Sequence, residues 1–170
     1  MDESFRAVRE RLEALLEPDQ RVRAKEGDRE AWAEQHALER QNVAVLARTV
    51  ETHGWPTERV FGERAALAAF LVLQHAPLEV QEHYLPLLQA AAERGEVPKK
   101  QLAFLIDRVR LYRNEPQLYG TQLRPDVQTG RLEFYPLVDA ATVDTRRAEM
   151  GLEPLGAYLA RFGLEPLAEC

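Results

Sequence analysis

The chain has 170 residues, a net charge of −6 with both signs interspersed, and one cysteine, Cys170, as its last residue. That length fits a single domain, residues 1–170, able to bury roughly 70% of the surface its unfolded form exposes without help from a disulfide or a metal. A lone cysteine excludes an internal disulfide framework and suits a reducing compartment. The absence of any dense Lys/Arg cluster excludes nucleic acid as an expected partner.

The opening residues, Met1-Asp2-Glu3-Ser4-Phe5-Arg6, lack the basic-then-apolar layout of a signal peptide, so the expected location is cytoplasmic. Phe5, Val8, Leu12, Leu15 and Leu16 recur at three- and four-residue steps and predict an amphipathic helix that ends at Pro18. After a polar stretch, Asp19 to Arg29, a longer helix is predicted from about Glu30 to Thr52, with Ala37, Leu38, Ala44, Val45 and Ala47 among its small and apolar positions. His53-Gly54-Trp55-Pro56 stops it, because glycine permits a left-handed cap and proline cannot continue a helix.

From Glu63 the chain turns apolar through Leu73, which predicts a helix buried on several sides, closed by Gln74 and His75. The unbroken apolar run Ala65–Leu73 falls far short of the ~20 residues that span a bilayer, so no membrane partner is expected. Pro77 restarts the chain into a helix from Leu78 to Arg94, striped by Val80, Tyr84, Leu87, Leu88 and Ala91, with a kink predicted at Pro86 and a cap at Gly95. Another helix runs from Pro98 to about Tyr112, proline being tolerated in the first turn.

From Gln117 the period falls to two. Tyr119, Thr121 and Leu123 alternate with Leu118, Gly120 and Gln122, and Leu132, Phe134 and Pro136 alternate beyond a turn containing Pro125, Asp126 and Gly130. Two short helices follow, about Thr142–Met150 and Pro154–Arg161, with Gly151 and Gly163 as stops. The expected fold is mainly α: six to seven helices with one small β-hairpin near residues 117–136.

The chemistry-bearing residues are those that the apolar pattern draws inward. On the Pro98–Tyr112 helix, Leu102, Leu105, Ile106 and Val109 form one stripe and Phe104 and Leu111 a second, on which Asp107 and Arg108 also fall. A charge buried there must be paired and hydrogen-bonded, either within a structural network or in a ligand site. Gln74 and His75 follow the most apolar segment, and a histidine at a core edge is the most adaptable general acid or base at neutral pH, or an ordinary satisfied core residue. Glu79, Gln81 and His83 could face the same space or solvent. Gln117, Tyr119, Thr121 and Gln122 place amide, phenol and hydroxyl groups on short strands around Gly120, lining a pocket or forming the solvated face of a hairpin. Arg147 shares a stripe with Val143 and Met150, so its stem should pack inward while its guanidinium seeks an anion, Asp107 or a bound ligand. The metal and nucleophile motifs His-Glu-x-x-His, Glu-x-x-His, Cys-x-x-Cys and Gly-x-Ser-x-Gly are absent, so no metal site and no cofactor is expected.

These motifs, Asp19-Gln20 with Arg23, Glu39 with Asn42, Gly54-Trp55-Pro56, Gly62, Gln74-His75-Ala76, Gln81, Asp107-Arg108-Val109, Gln117 with Tyr119-Gly120-Thr121-Gln122, Val143-Asp144 with Arg147, and Gly151-Leu152, together resemble a widespread bacterial family of uncharacterised proteins over about residues 19–158. Pro77 and Glu39 stand where that family tends to show aspartate. The resemblance implies one shared polar site and assigns no reaction. Two functions are therefore expected to compete. One is a metal-independent enzyme acting on a small molecule or peptide, with His75 as acid/base and Asp107 as its partner, and with Gln74, Arg108, Gln117, Tyr119, Thr121, Gln122 and Arg147 binding the ligand. The other is a non-catalytic module for a small polar or anionic ligand, a peptide or a protein, in which the polar residues form a buried structural network.

Overall fold

The computed structural model describes residues 3–17, 29–126 and 132–164. Pro18, the polar stretch and motif around Asp19, Gln20 and Arg23, the turn at Gly130 and Cys170 lie outside the described residues. In chain order the elements are α1 (Glu3–Glu13), α2 (Arg29–His53), α3 (Glu58–Phe61), α4 (Glu63–His75), α5 (Leu78–Glu93), α6 (Lys99–Tyr112), β1 (Leu123–Pro125), β2 (Leu132–Phe134), a 3-10 turn (Ala140–Thr142), α7 (Val143–Glu149) and α8 (Leu155–Ala160). The protein is thus mainly α, with eight α-helices and one antiparallel strand pair among the described residues. None of these helices is long and apolar enough to cross a membrane. The chain divides into two compact units, residues 1–97 and 98–170.

In the first unit α4 is the central element. Ala65, Ala68, Ala69, Phe70, Val72 and Leu73 are all buried, an arc of roughly 200° at ~100° per residue, which is why the segment carries no continuous polar face. Helices α1, α2, α3 and α5 pack against it. Leu12, Phe61, Ala65 and Ala68 form one apolar cluster, with Phe5, Val8, Leu15, Leu16 and Val45 packed around it. His53, the last residue of α2, stands 4.9 Å from the Phe5 ring and 5.8 Å from that of Phe61, centre to centre. The stop at Gly54 is a left-handed cap, φ 73°, whose N–H reaches the Val50 carbonyl at 2.9 Å.

Helix α3 is four residues long, too short to register as a period in the sequence. Gly62 ends it and starts α4 at once, with φ 85° and ψ 161°, a conformation reserved to glycine. At the α4–α5 joint the fully buried Gln81 donates through Nε2 to the carbonyls of Gln74, at 3.1 Å, and Ala76, at 2.7 Å. A side chain from the first turn of α5 thereby satisfies carbonyls that the end of α4 leaves without a helical donor. Helix α5 runs on through Pro86 to Glu93.

In the second unit the hairpin lies within residues 117–136, as expected, with its ladder confined to β1 and β2. The strands pair Leu123 with Phe134, Arg124 with Glu133 and Pro125 with Leu132. The alternating stretch before Leu123 is a loop, with a parallel bridge between Gln117 and Leu137 outside the two strands and the Phe134 ring against Gly120. Its residues alternate, but the backbone groups of Leu118, Tyr119, Thr121 and Gln122 are taken by side chains and cannot also form a ladder. Helices α7 and α8 pack beside each other, with Val143, Leu155 and Leu159 as a small core under Leu123, Phe134, Leu137, Tyr158 and Leu164.

Gly62 provides a direct test of backbone strain in the first unit. A Cβ there would meet nothing closer than Arg9 Cδ at 4.0 Å. Gly62→Ala should therefore fold and cost about 1–3 kcal/mol through conformation alone, read as a lower urea midpoint with an unchanged slope.

Candidate functional site

Helix α6 delivers Asp107 to the interior. Leu102, Leu105 and Val109 are buried on one side of it, and on the other side, where Phe104 and Leu111 are half-buried, Asp107 is 0% exposed. A carboxylate so placed must accept several hydrogen bonds to repay its lost hydration. Its Oδ1 accepts the backbone N–H of Leu118, at 2.7 Å, and of Tyr119, at 3.1 Å. Its Oδ2 accepts the Thr121 N–H and the Thr121 hydroxyl, both at 2.9 Å. These four bonds curl the segment 118–121 around the acid.

Gln117 closes the next residue. Its Oε1 accepts the Gln122 N–H at 2.7 Å and its Nε2 donates to the Gln122 carbonyl at 3.2 Å, so one side-chain amide pairs with Gln122 as a neighbouring strand would. Gln117 itself is anchored by its own backbone, donating to the Pro136 carbonyl and accepting from the Val138 N–H, each at 2.8 Å. The Gln122 amide donates to Thr121 Oγ1 at 3.0 Å and accepts from Arg108 Nε at 3.2 Å.

The carbonyls of the loop face cations and a phenol. Arg146 Nε donates to the Leu118 carbonyl at 2.8 Å, and its remaining N–H groups go to the Val138 and Asp139 carbonyls and the Thr142 hydroxyl. Arg147, 1% exposed, donates through Nη1 to the carbonyls of Tyr119, at 2.6 Å, and Gly120, at 3.4 Å, and through Nε to that of Glu153, at 2.6 Å. Its guanidinium also lies 5.0 Å from the centre of the Tyr158 ring, and the Tyr158 hydroxyl donates to the Thr121 carbonyl at 2.9 Å. Burial pushes the Arg147 pKa down and those of Tyr158 and Tyr119 up, the Asp107 charge adding to the effect at Tyr119.

Seven of the residues singled out in the sequence, Asp107, Arg108, Gln117, Tyr119, Thr121, Gln122 and Arg147, thus meet around one loop of the second unit. Gln74 and His75 belong to the first unit, both half-buried at the end of α4. Glu79 and His83 are exposed, and His83 packs edge-on against Tyr84 at 4.7 Å. The Arg147 guanidinium reaches carbonyls and a ring face where sequence reasoning sought an anion. Arg146 and Tyr158 were missed. The first sits beside Arg147 with nothing in the pattern to say that it too turns inward, and the second reaches the loop from a helix 37 residues further on. Among the described residues no group of three or more His, Cys, Asp or Glu side chains is arranged to hold a metal.

Asp107→Asn tests the hub of this arrangement. An amide nitrogen cannot accept from the loop N–H groups, so at least one buried donor loses its partner. The variant should lose about 3–5 kcal/mol of stability in urea unfolding followed by circular dichroism. Gly120→Ala should cost more than Gly62→Ala, because a Cβ at φ 67° would also stand 2.8 Å from Phe134 Cζ and 3.0 Å from Leu155 Cδ1.

The profile of a family of unknown function, DUF6624, matches residues 7–165, and the chain belongs to that family. No curated protein and no solved structure matches the chain.

Proposed function

We propose that this member of the family is a non-catalytic interaction module, in which the 117–122 loop is a rigid platform that presents Tyr119, with Leu118 beside it, to a peptide or small polar ligand. One observation carries the reading: Leu118, Tyr119, Thr121 and Gln122 each have both backbone groups engaged by side chains of the same unit. Donors and acceptors committed in this way hold shape. Asp107, which an enzymatic reading would make the partner of His75, spends both oxygens on the loop. Tyr119 and Leu118 are half-buried while their backbones are clamped, and Tyr119 is the aromatic one of the pair. A rigid aromatic side chain with a polar tip is the kind of group that anchors interfaces, and fixing it beforehand lowers the entropy lost on binding. A cytoplasmic setting belongs to the same proposal, supported by the single cysteine in the sequence, and the family resemblance suggests a bacterial one.

Selection of a displayed random-peptide library on the purified protein tests it. Selected peptides should bind Tyr119→Ala at least 10-fold more weakly than the parent, with the cooperative unfolding of the variant retained. Equal affinity would overturn the reading. So would turnover of any compound in a metabolite panel that His75→Gln abolishes without loss of fold.

A further inference from the structure

We propose that residues 117–122 open and close as one all-or-none latch, because two of their peptide groups are each gripped at both ends by opposite charges, the buried Asp107 on one side and the half-buried Arg146 or the buried Arg147 on the other. In the peptide joining Leu118 to Tyr119, the N–H points to Asp107 Oδ1 at 3.1 Å while the carbonyl receives Arg146 Nε at 2.8 Å. In the peptide joining Gly120 to Thr121, the N–H points to Asp107 Oδ2 at 2.9 Å while the carbonyl receives Arg147 Nη1 at 3.4 Å. A trans peptide aims its N–H and C=O in opposite directions, so acid and guanidinium pull on the two poles of one dipole. Each bond polarises the group that makes the other, and low local dielectric strengthens both.

Partial opening is penalised by the same arrangement. Asp107 is 0% and Arg147 1% exposed, so releasing only some of the loop's bonds leaves an ion inside with fewer partners and no water. Full opening rehydrates both ions together. The intermediate states are therefore the costly ones, which makes the loop a two-state element within the second unit. This goes beyond the platform reading and does not depend on what docks at Tyr119.

Native-state amide hydrogen exchange on the full chain, read by NMR, tests the latch. The amides of Leu118, Tyr119, Thr121 and Gln122 should share one opening constant, within about threefold, and exchange faster than that of Leu105 in the core of α6. Tyr158→Phe removes only the hydroxyl bond to the Thr121 carbonyl, whose peptide carries the Gln122 N–H. It should nevertheless accelerate all four amides by a common factor of about 5-fold. Acceleration confined to Gln122 would overturn the proposal, as would exchange of the loop amides at the Leu105 rate, which leaves no opening separate from unfolding. Should the variant not fold, low-urea exchange of the parent protein decides it: one shared slope for the four amides supports the latch, and four different slopes refute it.

Discussion

A carboxylate without access to water must be held by donors, and the way Asp107 is held shapes everything from Gln117 to Gln122. It lies on the side of α6 that carries Phe104 and Leu111, across the helix from the buried Leu102, Leu105 and Val109, so the helix is covered on both faces and the acid is enclosed. The donors then have to come to the acid. Three backbone N–H groups and one hydroxyl do so, and a segment with that many amides turned to one point cannot also lie flat in a ladder. The hairpin consequently begins only at Leu123, and the residue at the tightest point is a glycine, with the Phe134 ring where a side chain would stand.

The two units solve the problem of ordering a chain by different means. Residues 1–97 pack apolar side chains around α4, and the buried Gln81 amide ties the joint between α4 and α5. In residues 98–170 the path of the 117–122 loop is specified by polar contacts, beside a cluster of Val143, Leu155 and Leu159 with five partly buried apolar neighbours. Polar networks are directional where apolar contacts are not, so each donor in the second unit selects one carbonyl and one path. Arg146 and Arg147 illustrate the requirement. Their forks reach several carbonyls at fixed angles, which a lysine ammonium on a flexible stem would not reproduce.

Much of this was legible in the sequence, for physical reasons that also mark where legibility ends. The boundaries of α2, α4, α5 and α6 follow from proline, glycine and apolar spacing, all local signals. Asp107 could be assigned to the interior because helical spacing ties it to Phe104 and Leu111. What spacing cannot express is the direction of a hydrogen bond. The alternation from Gln117 to Leu123 matches a strand, and only the competition from Asp107, Gln117, Arg146, Arg147 and Tyr158 for its backbone groups turns it into a loop. Those competitors lie between 5 and 37 residues away in the chain, beyond any local pattern. Helix α3 failed to register for the opposite reason, being shorter than the window over which a period can be counted.

Gln117 shows why polar motif residues need not form an active site. Its carboxamide has the donor and acceptor of a peptide, and it uses both on one residue, Gln122, as a strand neighbour would. Neither aspartate nor glutamate offers the donor, and asparagine is one methylene shorter, so the residue type follows from a structural role as strictly as it would from a catalytic one. The same holds for Asp107, since only an ionised carboxylate accepts from four donors at once without presenting one of its own. The informative quantity is therefore where the lone pairs and N–H groups point. In this loop they point at the chain's own backbone, and the side chains of Leu118 and Tyr119 are what that commitment leaves half-exposed.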